Sequence, residues 1–240
     1  MRSIDDNLQA VRQRIARAAA AAGRDPRSVT LLAVSKTHPA RLVEEAVGAG
    51  QRVFGENYVQ EALEKMDALA GSLGEERARA LEWHLIGPLQ SNKTRVVAER
   101  FDWVHSVESE KVARRLSEQR SAGKPPLNVL IQVNVSGEAS KSGVAPQKVA
   151  ALARAVAALP NLRLRGLMAI PEATTDAGLQ RSRFSSVKRT FEELKRNGFD
   201  LDTLSMGMSD DMEAAIAEGA TMVRVGTAIF GARQKIGAAA

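Results

Sequence analysis

The chain of 240 residues contains no cysteine, so disulfides and thiol chemistry are both excluded. It has a single tyrosine, Tyr58, and aromatic residues make up only 4% of the whole, which leaves few platforms for stacking the bases of a single strand. No stretch approaches the ~18 consecutive apolar residues that a membrane-spanning helix requires. Met1-Arg2-Ser3-Ile4-Asp5-Asp6 turns polar at once and no apolar leader core follows, so a cytoplasmic location is expected. The three histidines, His38, His84 and His105, show no metal-ligand spacing. No carboxylate pair has glycosidase character.

Charge is present in excess of one sign. The net charge is +6 and the sequence pI about 9.9, which raises nucleic acid as a partner. However, the basic residues alternate with acidic ones along helices, as in Glu75-Glu76-Arg77 and Glu192-Glu193-Leu194-Lys195. That mixture describes a solvated helix surface better than a phosphate groove, so neither nucleic acid nor membrane is expected as a partner. The same excess attracts anionic small molecules.

Hydrophobic patterning sets the fold. Eight short β-rich segments follow one another: Val29 to Ser35, Arg52 to Gly55, Trp83 to Gly87, Trp103 to Val107, Val129 to Val135, Leu162 to Ile170, Thr203 to Gly207 and Met222 to Gly226. Helical periodicity lies between them, with Leu42, Val43, Ala46 and Val47 on one face, then Val59, Leu63 and Met66, then Phe184, Val187, Phe191 and Leu194, then Met212, Ala215 and Ile216. An extra helix precedes the first strand, with Ile4, Leu8, Val11 and Ile15 in register behind a Ser3-x-x-Asp6 start. Such alternation predicts an α/β protein, a single (β/α)8 barrel spanning residues 1–240 with no second domain. A doubly wound open sheet is the alternative, but it wants a glycine fingerprint after an early strand, and Ser35-Lys36-Thr37-His38-Pro39 is not one.

In a barrel of this kind the site lies where strand C-termini meet their following loops, and phosphate is commonly held after strands seven and eight. Lys36 ends the first apolar run, Leu31-Leu32-Ala33-Val34-Ser35. A lysine there is either a solvated end-cap or an amine placed in a dry pocket, and only the latter does Schiff-base chemistry. Strand seven runs into Ser205-Met206-Gly207-Met208-Ser209-Asp210, where Ser205 offers a hydroxyl, Gly207 a close backbone approach, and Ser209 or Asp210 a helix cap. Strand eight runs into Gly226-Thr227, before a short helix with free first amides. Arg224, mid-strand, needs a partner: either an ion pair with Glu213 or Asp210, or a ligand beside the anion loops. Strand two ends in Gly55-Glu56-Asn57-Tyr58, near the lysine of the adjacent strand. His84 on strand three reads as a hydrogen-bonded core residue.

An amine, an anion cradle and an arginine describe a pyridoxal phosphate site; a lysine-dependent aldolase of phosphosugars, which the same cradle would serve, is a rival. Four stretches make the resemblance specific: LLAVSKTHP (Leu31 to Pro39), FGENYVQE (Phe54 to Glu61), WHLIGPLQSNK (Trp83 to Lys93) and LSMGMSDDMEAAIAEGATMVRVGTAIFG (Leu204 to Gly231). Over essentially its whole length the chain resembles the pyridoxal phosphate homeostasis protein family, also called proline synthetase co-transcribed homologue, whose barrel is similar to the N-terminal domain of alanine racemase. The resemblance implies that Lys36 carries the cofactor as an aldimine, that Asn57 lies beside the ring, that Ser205, Gly226 and Thr227 hold the phosphate, and that Arg224 faces the pyridine nitrogen. An arginine there only donates, so it keeps that nitrogen neutral and weakens the electron sink that racemisation or decarboxylation needs. The racemases being compared take a second acid/base from a tyrosine outside the barrel, assisted by an added domain. Tyr58 lies within the strand-two motif instead, and the chain ends soon after strand eight. The expectation is therefore a monomeric carrier of pyridoxal 5'-phosphate rather than an enzyme, delivering cofactor to apo-enzymes and so influencing amino- and keto-acid pools. A racemase or decarboxylase using Lys36 as base is the rival. Lys141, in the Ser136–Gly143 loop, is expected near the same mouth, as a relay for the cofactor or as a plain loop lysine.

Overall fold

The computed structural model describes residues 3–136 and 142–232; Lys141 and the segment 233–240 lie outside that range. Eight parallel strands close into a barrel in sequence order: β1 (Thr30–Val34), β2 (Val53–Glu56), β3 (Glu82–Leu85), β4 (Trp103–Val107), β5 (Leu127–Gln132), β6 (Leu162–Met168), β7 (Thr203–Ser205) and β8 (Met222–Val225). Closure is direct, with Leu32 opposite Arg224 and Ala33 opposite Val225. Strand alternation divides each strand between two cores. Leu31 and Ala33 join the large cluster under the helices, whereas Leu32 and Val34 pack with Ile86 and Met222 in a separate one. This is why the first apolar run is unbroken: both of its faces are buried.

The helices are α1 (Ile4–Ala21), α2 (Ala40–Gly48), α3 (Val59–Leu73), α4 (Glu75–Arg79), α5 (Thr94–Arg100), α6 (Glu110–Gln119), α7 (Pro146–Ala157), α8 (Ala177–Arg196), α9 (Met212–Ala217) and α10 (Thr227–Phe230). Among the described residues no helix is long and apolar enough to cross a membrane. At the start of α1, Ser3 Oγ accepts from the Asp6 amide and Asp6 returns the bond to the Ser3 amide, a reciprocal cap. Its buried face, Ile4, Leu8, Val11, Ile15 and Ala19, lies against α2, α9 and α10. The helix after β8 is only four residues long, so α1 covers apolar surface that a full eighth helix would cover. The Asn7 side chain donates to Ile229 O at 2.9 Å and Arg24 to Ile216 O and Ala220 O at 2.8 Å, which fixes that seam.

On α3, Val59 and Leu63 pack, partly buried, against the same core as Met66, the face that periodicity expects. The buried set also includes Ala62, Leu69 and Lys65, a lysine brought inward where two carboxylates meet it. One local expectation is corrected. After β7 the residue capping α9 is Asp211, not Ser209 or Asp210; its carboxylate accepts from the Met208 amide at 2.6 Å instead of from the helix.

Candidate functional site

The C-terminal ends of the strands surround a cavity of about 530 Å³ lined by Lys36, Asn57, Arg224, Gly226 and Thr227, together with Arg14, Val34, Ile86, Ile170, Met208, Ser209, Asp210 and Ala228. A shallow groove of about 620 Å³ along α8, lined by Lys188, Arg189, Glu192 and Glu193 among others, is larger. It gathers solvated helix side chains, whereas the barrel-mouth cavity gathers polar groups from four strand ends, as a ligand site does.

Lys36 is half-buried and sits two residues beyond β1, in a turn rather than on the strand. Thr37, next to it, has φ 64°, and among the described residues no other non-glycine residue has a positive φ. Asn57 follows β2, and its side-chain oxygen is buried without a hydrogen-bond partner. Its backbone is held where only a glycine can face it, because a Cβ on Gly87 would come within 2.3 Å of Asn57 O.

Arg224 is buried, with 3% exposure. Neither expected carboxylate pairs with it. Its Nη1 donates to Ser205 O (2.6 Å) and Ser205 Oγ (2.9 Å), and its Nη2 to Ala169 O (2.8 Å). Glu213 is engaged by Arg14 instead, at 2.8 Å. Burial lowers the Arg224 pKa to about 10, opposed by the nearby Asp211 carboxylate, so the guanidinium stays charged at neutral pH in the cavity wall.

Ser205 is the expected site residue that the fold does not bring to the cavity wall. It is fully buried, and its hydroxyl lies between Arg224 and His105 Nδ1 (3.0 Å). From there a hydrogen-bonded chain crosses the barrel. His105 Nε2 meets His84 Nδ1 at 2.8 Å, and His84 Nε2 meets Glu82 Oε1 at 2.7 Å. Burial depresses both histidine pKa values, that of His105 strongly, so the rings are neutral. The hydrogen bond from His84 holds the Glu82 carboxyl below its usual value. With both rings neutral and Glu82 ionised, one arrangement satisfies every link: Arg224 donates to Ser205, Ser205 to His105, His105 to His84, and His84 to Glu82. His84 also stacks on Trp103, ring centroids 5.1 Å apart. Gly207 has a packing role as well: with φ 94°, its Cβ would fall 2.5 Å from that of Ala215 on α9.

A family model for the N-terminal domain of alanine racemase matches residues 7–234. A pyridoxal phosphate homeostasis protein of Pseudomonas aeruginosa is 61% identical over 233 residues, 97% of this chain and 97% of that one. The protein of that name from Escherichia coli K12 is 55% identical over 233 residues, 97% of this chain and 98% of its own. The chain belongs to the pyridoxal phosphate homeostasis protein family. Among solved structures, PipY of Synechococcus elongatus, with pyridoxal phosphate bound, superposes with a TM-score of 0.82 at 38% identity, covering 95% of this chain and all of PipY. The alanine racemase of Clostridium difficile matches at TM-score 0.71 and 12% identity, over 87% of this chain and 56% of its own; that likeness is one of fold.

Within this family member the residues present fit the cofactor. An unpartnered buried oxygen on Asn57 can accept from a ring hydroxyl, and a charged, fixed Arg224 can donate to a ring nitrogen. Ser209, Gly226 and Thr227 line the cavity together, where the first α10 amides precede its first helical bond, Ile229 N to Gly226 O, and are free to donate to a phosphate. Three contributors carry no sequence signal. Arg14 reaches the cavity from α1 and donates to Ser209 O at 3.0 Å, yet it stands one residue from the buried Ile15 in an ordinary amphipathic pattern. Lys65 and Glu61, which act beneath Lys36, read as solvated helix charges. Tyr58 is 57% exposed and does not line the cavity.

Proposed function

We propose that this chain binds pyridoxal 5'-phosphate in the barrel-mouth cavity through Lys36 and serves as a carrier and buffer of that cofactor rather than as a catalyst. The observation that carries the reading is the meeting, in one cavity, of a half-buried amine with an anion loop and a charged arginine from the last strand. When bound, the cofactor supplies an aldehyde that condenses reversibly with a primary amine, forming a C=N bond and releasing water.

The chain's own groups divide the remaining work. Lys36 supplies the amine. Asn57 accepts a hydrogen bond from the ring hydroxyl, and Ser209, Gly226 and Thr227 hold the phosphate, assisted by the cation of Arg14. Arg224, carrying its proton at neutral pH, donates to the ring nitrogen and gives it no proton, which disfavours carbanion chemistry. An amino-acid racemase needs a second acid/base facing the lysine, and the chain's one tyrosine stands outside the cavity. Transient partners are apo-enzymes that take up the cofactor, and the protein acts as a monomer in the cytoplasm.

The test is an absorption spectrum of the purified protein before and after borohydride, with mass mapping of the reduced peptide. The expected result is visible absorbance lost on reduction and a pyridoxyl group on Lys36, absent from a folded Lys36→Ala variant. Reduction at another side chain, or sustained α-proton exchange of free amino acids at about 1 s⁻¹, would overturn the reading.

A further inference from the structure

Three ionisable side chains lie beneath the turn that carries Lys36. β2 ends on Glu56, which is fully buried, and the first turns of α3 present Glu61 and Lys65 four residues apart, with Lys65 4% exposed. The Lys65 ammonium donates to Glu56 Oε1 at 2.7 Å, to Glu61 Oε1 at 2.6 Å and to the Ser35 carbonyl at 2.6 Å. The Ser35 hydroxyl donates to Glu56 Oε1 at 2.6 Å, and the Thr37 amide to Glu61 Oε1 at 2.5 Å. Both neighbours of Lys36 are thus gripped by one cluster, on the carbonyl side through Ser35 and on the amide side through Thr37.

Stability alone does not account for this arrangement. Burying an ammonium between carboxylates carries a desolvation penalty that apolar residues of the same volume avoid. Here the penalty is visible: Glu56 Oε2 has no partner, and burial pushes the Glu56 carboxyl upward against the pull of Lys65 and Ser35. The turn is strained too, since a β-branched threonine at φ 64° is held in a region that clashes with its Cβ. Strain of this kind persists only where the surroundings over-determine the backbone, and it gathers at functional sites. Directional bonds to both peptide groups supply that constraint, which apolar packing cannot.

We propose that the Glu56–Lys65–Glu61 cluster is a positioning device for Lys36, holding its turn so that the amine meets a carbonyl seated in the cavity at bonding distance. The inference rests on the reading of Lys36 as the cofactor-binding amine and adds residues that touch neither cofactor nor cavity. It makes capture of an aldehyde, and not occupancy of the cavity, depend on the cluster.

Glu61 is the member to vary, because its side chain is 27% exposed and its loss leaves Lys65 paired with Glu56. Two ligands separate positioning from folding: pyridoxal 5'-phosphate, whose capture is followed by visible absorbance and borohydride trapping, and pyridoxine 5'-phosphate, an alcohol that binds without bonding to the amine. In Glu61→Ala, capture should slow by about tenfold or more while the dissociation constant for pyridoxine 5'-phosphate stays within about threefold of wild type. Glu61→Gln keeps an oxygen for the Thr37 amide and should restore most of the rate. Equal weakening of both ligands would mark a merely structural role, and an unchanged capture rate would mark no role; either overturns the inference. A wild-type protein with no reducible adduct on Lys36 would overturn the underlying reading, and this inference with it.

Discussion

Lys36 and Ser205 show how far single residues could be read from the sequence. Lys36 was legible because chemistry and position coincide: an amine at the end of a run buried on both faces reaches the mouth of a parallel barrel. Ser205 carried the same kind of signal, a hydroxyl at a strand end, yet it points inward. Strand period decides which of two neighbouring positions faces the interior, and β7 is only three residues long, so the loop that reaches the cavity begins later and Ser209 is the hydroxyl that lines it. The consequence can be measured. In Ser205→Ala, Arg224 keeps the Ser205 carbonyl, but His105 Nδ1 loses its donor inside the barrel. An unsatisfied buried nitrogen costs about 1–3 kcal/mol, seen as a lower urea midpoint at an unchanged m-value. Binding of pyridoxine 5'-phosphate should change much less than in Thr227→Val, and a larger loss in the serine variant would return Ser205 to the phosphate cradle.

Elements were more legible than their roles. The eight strands, their order and the N-terminal helix follow from periodicity, because each must bury a continuous face. What the pattern conceals is the use of helix charges. α1 reads as a cover for apolar surface, which it is, but its Arg14 also spans Glu213 and the Ser209 carbonyl. An exposed arginine and a cavity-directed one look alike in sequence, because the destination depends on tertiary placement of the neighbouring loop. The same holds for Lys65 on α3, whose inward placement no hydrophobic count reveals. If α1 pins the anion loop, Arg14→Ala should leave the barrel folded and weaken inorganic phosphate binding by about tenfold or more, the effect of one lost hydrogen bond to a charged group. Glu213→Gln keeps an acceptor for Arg14 and should weaken it less. Calorimetric titration with phosphate checks both; equal affinities in all three proteins would leave α1 as a cover alone.

At the scale of the whole molecule, the chain from Arg224 to Glu82 joins the ligand mouth to the opposite end of the barrel through two buried histidines, and this sets a pH response. Desolvation holds both imidazoles below the ordinary histidine value. For His84 the Glu82 carboxylate opposes that shift, and for His105 the facing Arg224 and His84 reinforce it. A base whose folded pKa is depressed is neutral in both states above about pH 6.5, so it costs nothing there. Below that value the unfolded chain takes up a proton that the barrel refuses, and unfolding becomes easier as pH falls. The slope approaches about 1.4 kcal/mol per pH unit for each histidine. Between pH 6.5 and 5.5, above the range where most carboxylates titrate, urea denaturation should show this loss in wild type. His105→Gln removes one titrating ring, so its stability, lower at neutral pH, should fall less steeply over that window. Parallel slopes for the two proteins would mean that His105 titrates alike in both states, and that the barrel interior is wetter than its fully buried side chains imply.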